Sequence, residues 1–183
     1  MTLLILGLAL WIVPHWLKRL APEMRAGWGD KAKGPLSLAM VLGIVLMVVG
    51  YRAAVVSNEA FFWGRSPMMA GINNLAMLAS VYFFAAAGMK TALARKIRHP
   101  MLWGAVLWAV GHLLVNGDVP SFVLFGGIGL WALVSMALVN RAGPWVVPAA
   151  KPVKFEGMAA AGSVLLYGGI VGVHYALGYP TFG

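Results

Sequence analysis

Apolar residues fall along this chain in long blocks separated by short gaps that carry the basic side chains. An α-helix rises 1.5 Å per residue, so about 20 apolar residues cross the hydrocarbon of a bilayer. Six blocks reach or approach that length: about 2–20, 34–54, 67–89, 100–116, 120–140 and 157–177, the fourth being the shortest. They predict an all-α fold, a polytopic transmembrane bundle of about six helices. No repeat or separate soluble stretch interrupts the pattern, so residues 1–183 read as one transmembrane domain. Pro100 and Pro120 stand where a first helical turn has no N–H to satisfy. Asn116-Gly117-Asp118 is a turn cluster that ends the fourth block. Pro14 is interior to the first block and predicts a kink just before His15.

Composition strengthens this picture. Apolar residues make up 61% of the chain and charged residues only 10%. Soluble domains carry about 25% charged residues, so too little charge is present to cover a water-facing surface. The net charge of +9 suggests nucleic acid until the basic residues are located. They occupy loops rather than one folded polar face, which argues for topology signals beside an anionic bilayer. The absence of cysteine excludes disulfides, thiolate metal sites and c-type haem attachment. No basic stretch precedes the first apolar block, so no cleaved signal peptide is expected.

Charge also predicts orientation. Twelve of the fourteen basic residues lie in the loops after the first, third and fifth blocks; only Arg52 and Arg65 lie on the other side. By the positive-inside rule those three loops are cytoplasmic. Both termini and the loops 55–66 and 116–120 then face the opposite compartment.

Ionisable residues inside a bilayer are costly and mark candidate sites. His15, His112 and His174 fall in the first, fourth and sixth blocks, and His99 at the mouth of the fourth. The five carboxylates sit in loops or at block edges, and no closely spaced metal motif occurs, so a carboxylate di-metal site is not expected. Two isolated histidines on facing helices of an apolar bundle can hold b-type haem. His99 also suits a helix start, and His174 suits an interfacial anchor beside Tyr175. His15 and His112 lie deeper, at depths differing by roughly 8 Å in a hydrocarbon of about 30 Å. His112 with His174 is the rival pair.

The neighbours can be read the same way. Trp108, His112 and Asn116 recur every four residues on one side of the fourth helix, with Gly104 and Gly111 close to that side. Those glycines would remove bulk beside a macrocycle. Arg19 lies one turn after His15 and could pair with a haem propionate. Asn73 or Asn74 could fix the tautomer of His112, or bond between helices. Small residues at 85–88, 126–129, Gly168 and Gly172 suit close helix packing, or a flat slot for a planar ligand.

The block His99-Pro100-Met101-Leu102-Trp103-Gly104, Leu107-Trp108-Ala109, His112-Leu113-Leu114, Asn116-Gly117-Asp118 resembles the signature of the NnrU family. Leu20-Ala21-Pro22, Glu23-Met24-Arg25, Lys33-Gly34, Ser37-Leu38, Gly43 and Gly50-Tyr51 follow in the family's order. The resemblance extends to about residue 140, with an echo at His174. It implies a relation to bacterial proteins associated with nitrite and nitric oxide respiration, and to the plant cis-zeta-carotene isomerase, a haem b membrane enzyme. The isomerase's haem ligands look like the counterparts of His15 and His112, so the resemblance selects that pair. Its cysteine one turn earlier is Ala109 here, and the usual Tyr before Ser37 is Leu36. The implied setting is a bacterial inner membrane, with periplasmic termini.

Three functions follow as expectations. The first is a haem b protein with a redox or accessory role in denitrification, holding the cofactor with His15, His112, Arg19, Trp108 and Asn116 beside a respiratory membrane partner. The second is a haem-dependent cis-trans isomerase of an apolar polyene. The third is a cofactor-free subunit of a membrane complex.

Overall fold

A computed structural model describes residues 1–57 and 60–182. Asn58 and Glu59, which belong to the predicted 55–66 loop, lie outside the described residues, so the reading of Glu59 as a loop carboxylate does too. Five described helical segments are long and apolar enough to cross a membrane. They are α1 (Thr2–Leu20), α3 (Lys33–Val56), α4 (Pro67–Met89), the run Val119–Arg141, and α9 (Lys154–Ala176). The fourth predicted span is α6 (Pro100–Val115), whose 16 residues reach only about 24 Å. Short helices α2 (Pro22–Gly27) and α5 (Ala92–Lys96) lie in the basic loops. The run Val119–Arg141 comprises α7 (Val119–Ser121), a π-helical stretch (Phe122–Gly126) and α8 (Gly127–Arg141).

Local chemistry sets the ends. Ser66 accepts the Met69 N–H at the start of α4, and Asp118 accepts the Ser121 N–H at the start of α7. Pro67, Pro100 and Pro120 all occupy first turns. Helix α1 continues through Pro14.

Two helix pairs form the frame. In the first, α1 packs along α3. A methyl group added at Gly50 would lie 2.4 Å from the Leu4 nitrogen, and one at Gly7 2.6 Å from the Met47 nitrogen. Only glycine permits this backbone approach. In the second pair, α4 packs along α6 and the Ser80 hydroxyl donates to the Gly104 carbonyl at 2.7 Å. Helix α8 bridges the pairs by packing on α6 and α1, while α9 attaches through α4. At the end of α6, β1 (Phe61–Trp63) pairs antiparallel with β2 (Gly117–Asp118), opposing Phe61 to Asp118 and Trp63 to Gly117. The Trp63 indole roofs Gly117, where a Cβ would lie 2.4 Å from the ring, and donates to the Leu113 carbonyl at 2.9 Å. The turn cluster is therefore a clamp that ties two loops together.

Candidate functional site

The intramembrane histidines share one arrangement. His15 Nδ1 lies 2.6 Å from the Trp11 carbonyl, and His112 Nδ1 lies 2.8 Å from the Trp108 carbonyl. A carbonyl oxygen can only accept, so each Nδ1 carries the proton. In the neutral ring Nε2 then keeps its lone pair, which is the ligating form of imidazole. His174 repeats the pattern on the Ile170 carbonyl at 2.8 Å.

Aromatic rings hold the imidazoles in place. His15 lies against Trp11 and Trp131, with centroids 4.3 and 5.0 Å away. His112 stacks on Phe125 at 4.5 Å and touches Trp108 at 4.8 Å. Phe125 belongs to the π-helical stretch, whose wider turn re-aims side chains. The described contacts place each imidazole against its own aromatic pair rather than against the other imidazole. Phe125 and Trp131 are six residues apart, so the two clusters lie about 9 Å apart along their helix.

An apolar cavity of about 300 Å³ lies between the α1–α3 pair and the α6–α8 pair. Trp11 and Trp108 both line it, together with Met47, Tyr51, Leu124 and Ile128. Each tryptophan stands one helical turn from a histidine. The indole N–H groups of Trp11 and Trp131 are buried without a hydrogen-bond partner among the described residues. The Tyr51 and Ser121 hydroxyls lie 2.9 Å apart, and Ser121 donates to the Asp118 carboxylate at 2.8 Å. That chain fastens α3 to the start of the fifth span.

A haem b fits this donor set in chemistry. In their neutral form the two imidazoles offer Nε2, and unpaired indole donors stand beside His15; the apolar cavity between their helices is lined by Trp11 and Trp108 rather than by either histidine.

Other predicted roles change. Gly104 and Gly111 face α4 rather than the cavity: a Cβ on Gly104 would meet the Ser80 carbonyl and Phe84, and one on Gly111 would meet Met77 and Asn73. They serve the close approach of α4 to α6. Neither asparagine fixes His112, whose Nδ1 is taken by its own helix. Asn74 donates to the Thr181 carbonyl at 2.9 Å, and the Asn73 side-chain oxygen is buried without a partner among the described residues. Asn116 donates to the His112 carbonyl at 2.8 Å, so it closes the end of α6 and steadies the His112 backbone. Arg19 is exposed one turn beyond His15. His99 precedes α6 and bonds Asn140 at 2.8 Å, an interfacial contact. Ala109 is buried against Gly129.

The sequence reading missed Phe125 and Trp131, and met Tyr51 only as part of the family resemblance. All three are aromatic residues within apolar blocks, distant in sequence from the histidines. The one readable cue nearby was Asp118 three residues before Ser121, the spacing of an N-cap.

No curated protein and no solved structure matches this chain. The description NnrU protein matches residues 3–181, nearly the whole chain, and on that extent the chain belongs to the NnrU family.

Proposed function

We propose that this chain is a haem b-binding membrane protein that uses His15 and His112 as iron ligands and serves nitrite and nitric oxide respiration as a redox or accessory component. The observation that carries the reading is the apolar cavity walled by Trp11 and Trp108, each one turn from a histidine whose Nε2 is free to ligate. The Nδ1–carbonyl bonds fix the tautomer and restrain ring rotation. The aromatic walls exclude water, and Asn116 steadies the His112 backbone. When bound, the haem supplies an iron able to change redox state. The protein is proposed to sit in a bacterial inner membrane with both termini periplasmic, as the basic loops imply.

A second reading, cis-trans isomerisation of a polyene, is favoured by one feature. Ile44 and Val48 line the same cavity and are about half exposed on the bilayer side of α3. An apolar substrate could therefore enter from the lipid.

The test is optical. Purified protein is expected to show b-type Soret and α bands. His15→Ala and His112→Ala should each disturb them, and His174→Ala should leave them unchanged. A colourless sample would sink both readings and leave a cofactor-free subunit. Loss of the bands on His174→Ala, with His15→Ala unaltered, would move the site to the rival pair. Conversion of a cis-polyene by the reduced protein selects the isomerase. No turnover, with a nitrite growth defect on deletion, selects the respiratory role.

A further inference from the structure

A second cavity, of about 330 Å³, lies between α4 and α9, and neither His15 nor His112 lines it. Ala70, Gly71, Asn74 and Leu75 contribute from α4, Tyr167 from α9, and Phe182 from the C-terminal segment. That segment folds back over the cavity. Gly178 turns the chain in the left-handed region at φ 83°, and the Tyr179 N–H donates to the His174 carbonyl at 2.8 Å. Arg65 then donates to the Pro180 carbonyl, and Asn74 to the Thr181 carbonyl. The Phe182 backbone reaches the Tyr175 hydroxyl.

The polar groups around this cavity are only partly satisfied. The Tyr167 and Thr181 hydroxyls are buried without a hydrogen-bond partner among the described residues. A buried hydroxyl left unpaired bears its full desolvation penalty, so such a group calls for an acceptor or donor from elsewhere. The volume falls in the range of small-molecule sites, which are mostly apolar with a few placed polar groups. Leu75 is largely exposed toward the bilayer, giving a lateral way in.

We propose that this cavity binds a planar, carbonyl-bearing lipid of the quinone class. The Tyr167 hydroxyl donates to a ring carbonyl, the Tyr167 and Phe182 rings lie against the planar head, and the isoprenoid tail leaves past Leu75. A phospholipid ester offers the same carbonyl but no planar head for the two aromatic rings. The site is separate from the haem reading and does not rest on it.

The test uses the full chain in nanodiscs of a single phosphatidylcholine, with a radiolabelled short-chain benzoquinone as probe. Wild type should bind it saturably, one molecule per chain. Tyr167→Phe should weaken binding about five- to tenfold, the worth of one hydrogen bond. Gly71→Leu should abolish it. A Cβ at Gly71 meets no protein atom within 4 Å, so a side chain can start there without a backbone clash and extend along the cavity wall. Gly168→Leu, equally open but away from the cavity, should bind as wild type. Thermal unfolding of each variant verifies the fold. Absence of saturable binding overturns the proposal, as does wild-type affinity in both Tyr167→Phe and Gly71→Leu. A phospholipid that stays with wild type through detergent purification, is lost from Gly71→Leu and is not displaced by benzoquinone would also overturn it, marking an acyl-ester site.

Discussion

The α1–α3 pair and α9 use the same small residues to opposite ends. In α1 and α3, Gly7, Gly43 and Gly50 bring two backbones so close that no methyl group fits between them. In α9, Gly162, Gly168, Gly169 and Gly172 meet no neighbouring atom within 4 Å, and the helix is held through α4. Glycine in a helix interior carries an entropic cost of roughly 0.5–1 kcal/mol relative to alanine. In the first region that cost is offset by backbone contact; in the second no contact among the described residues offsets it. The tight region carries Trp11 and His15 and walls the first cavity. The loose one carries His174. A ligand that must be held within a fraction of an ångström is better served by a rigid pair of helices.

The comparison can be broken most directly at Gly50. Gly50→Ala forces a methyl group onto the Leu4 backbone, and should destabilise the protein by about 3 kcal/mol or more, the upper range for overpacking. Denaturant titration followed by circular dichroism reads this. A loss under about 1 kcal/mol would show that the close approach is not rigid. A middle-sized effect is expected at Ser121, where the tight pair is fastened to the fifth span. Ser121→Ala removes the hydroxyl that meets Tyr51 and Asp118, and should cost about 1–3 kcal/mol by leaving buried partners unpaired. The same titration checks it, with Ser121→Thr recovering part of the loss. The smallest effect belongs to α9. Gly168→Ala should change stability by no more than about 1 kcal/mol, in the stabilising direction, because the methyl group meets no protein atom and helix propensity improves. Strong destabilisation there would mean that the α9 surface is packed against something outside this chain.

Much of the fold was legible in the sequence. Helix length and apolar content alone predicted α1 and α4 to the residue, and α3 and α9 to within about three. Prolines and the 116–118 turn marked the ends because their backbone chemistry is local. The site was legible only in its histidines. Each imidazole's first partner is a carbonyl four residues earlier, a contact any helix offers. Phe125 and Trp131, which pack on the imidazoles, depend on the arrangement of the fifth span against the first and fourth, and on the π-helical stretch. Gly104 and Gly111 were assigned to a cofactor face, but i, i+4 spacing does not say which neighbour a helix face meets. They meet α4. Asn73 or Asn74 could be read as a partner of His112 or of a neighbouring helix, yet the partner of Asn74 lies in the folded-back C-terminal segment, over a hundred residues away.

The shortness of α6 has a consequence for how the bundle meets water. About 24 Å of helix cannot traverse a hydrocarbon layer about 30 Å thick. Polar backbone at membrane depth is tolerated where protein covers it, and the Trp63 roof on Gly117 provides that cover. His112 lies four residues from Asn116, about 6 Å along the axis, while His15 lies five residues from Leu20 at the other end of an oppositely directed helix. The two imidazoles thus stand at different depths in the bundle, and a single ligand shared by them has to span that offset.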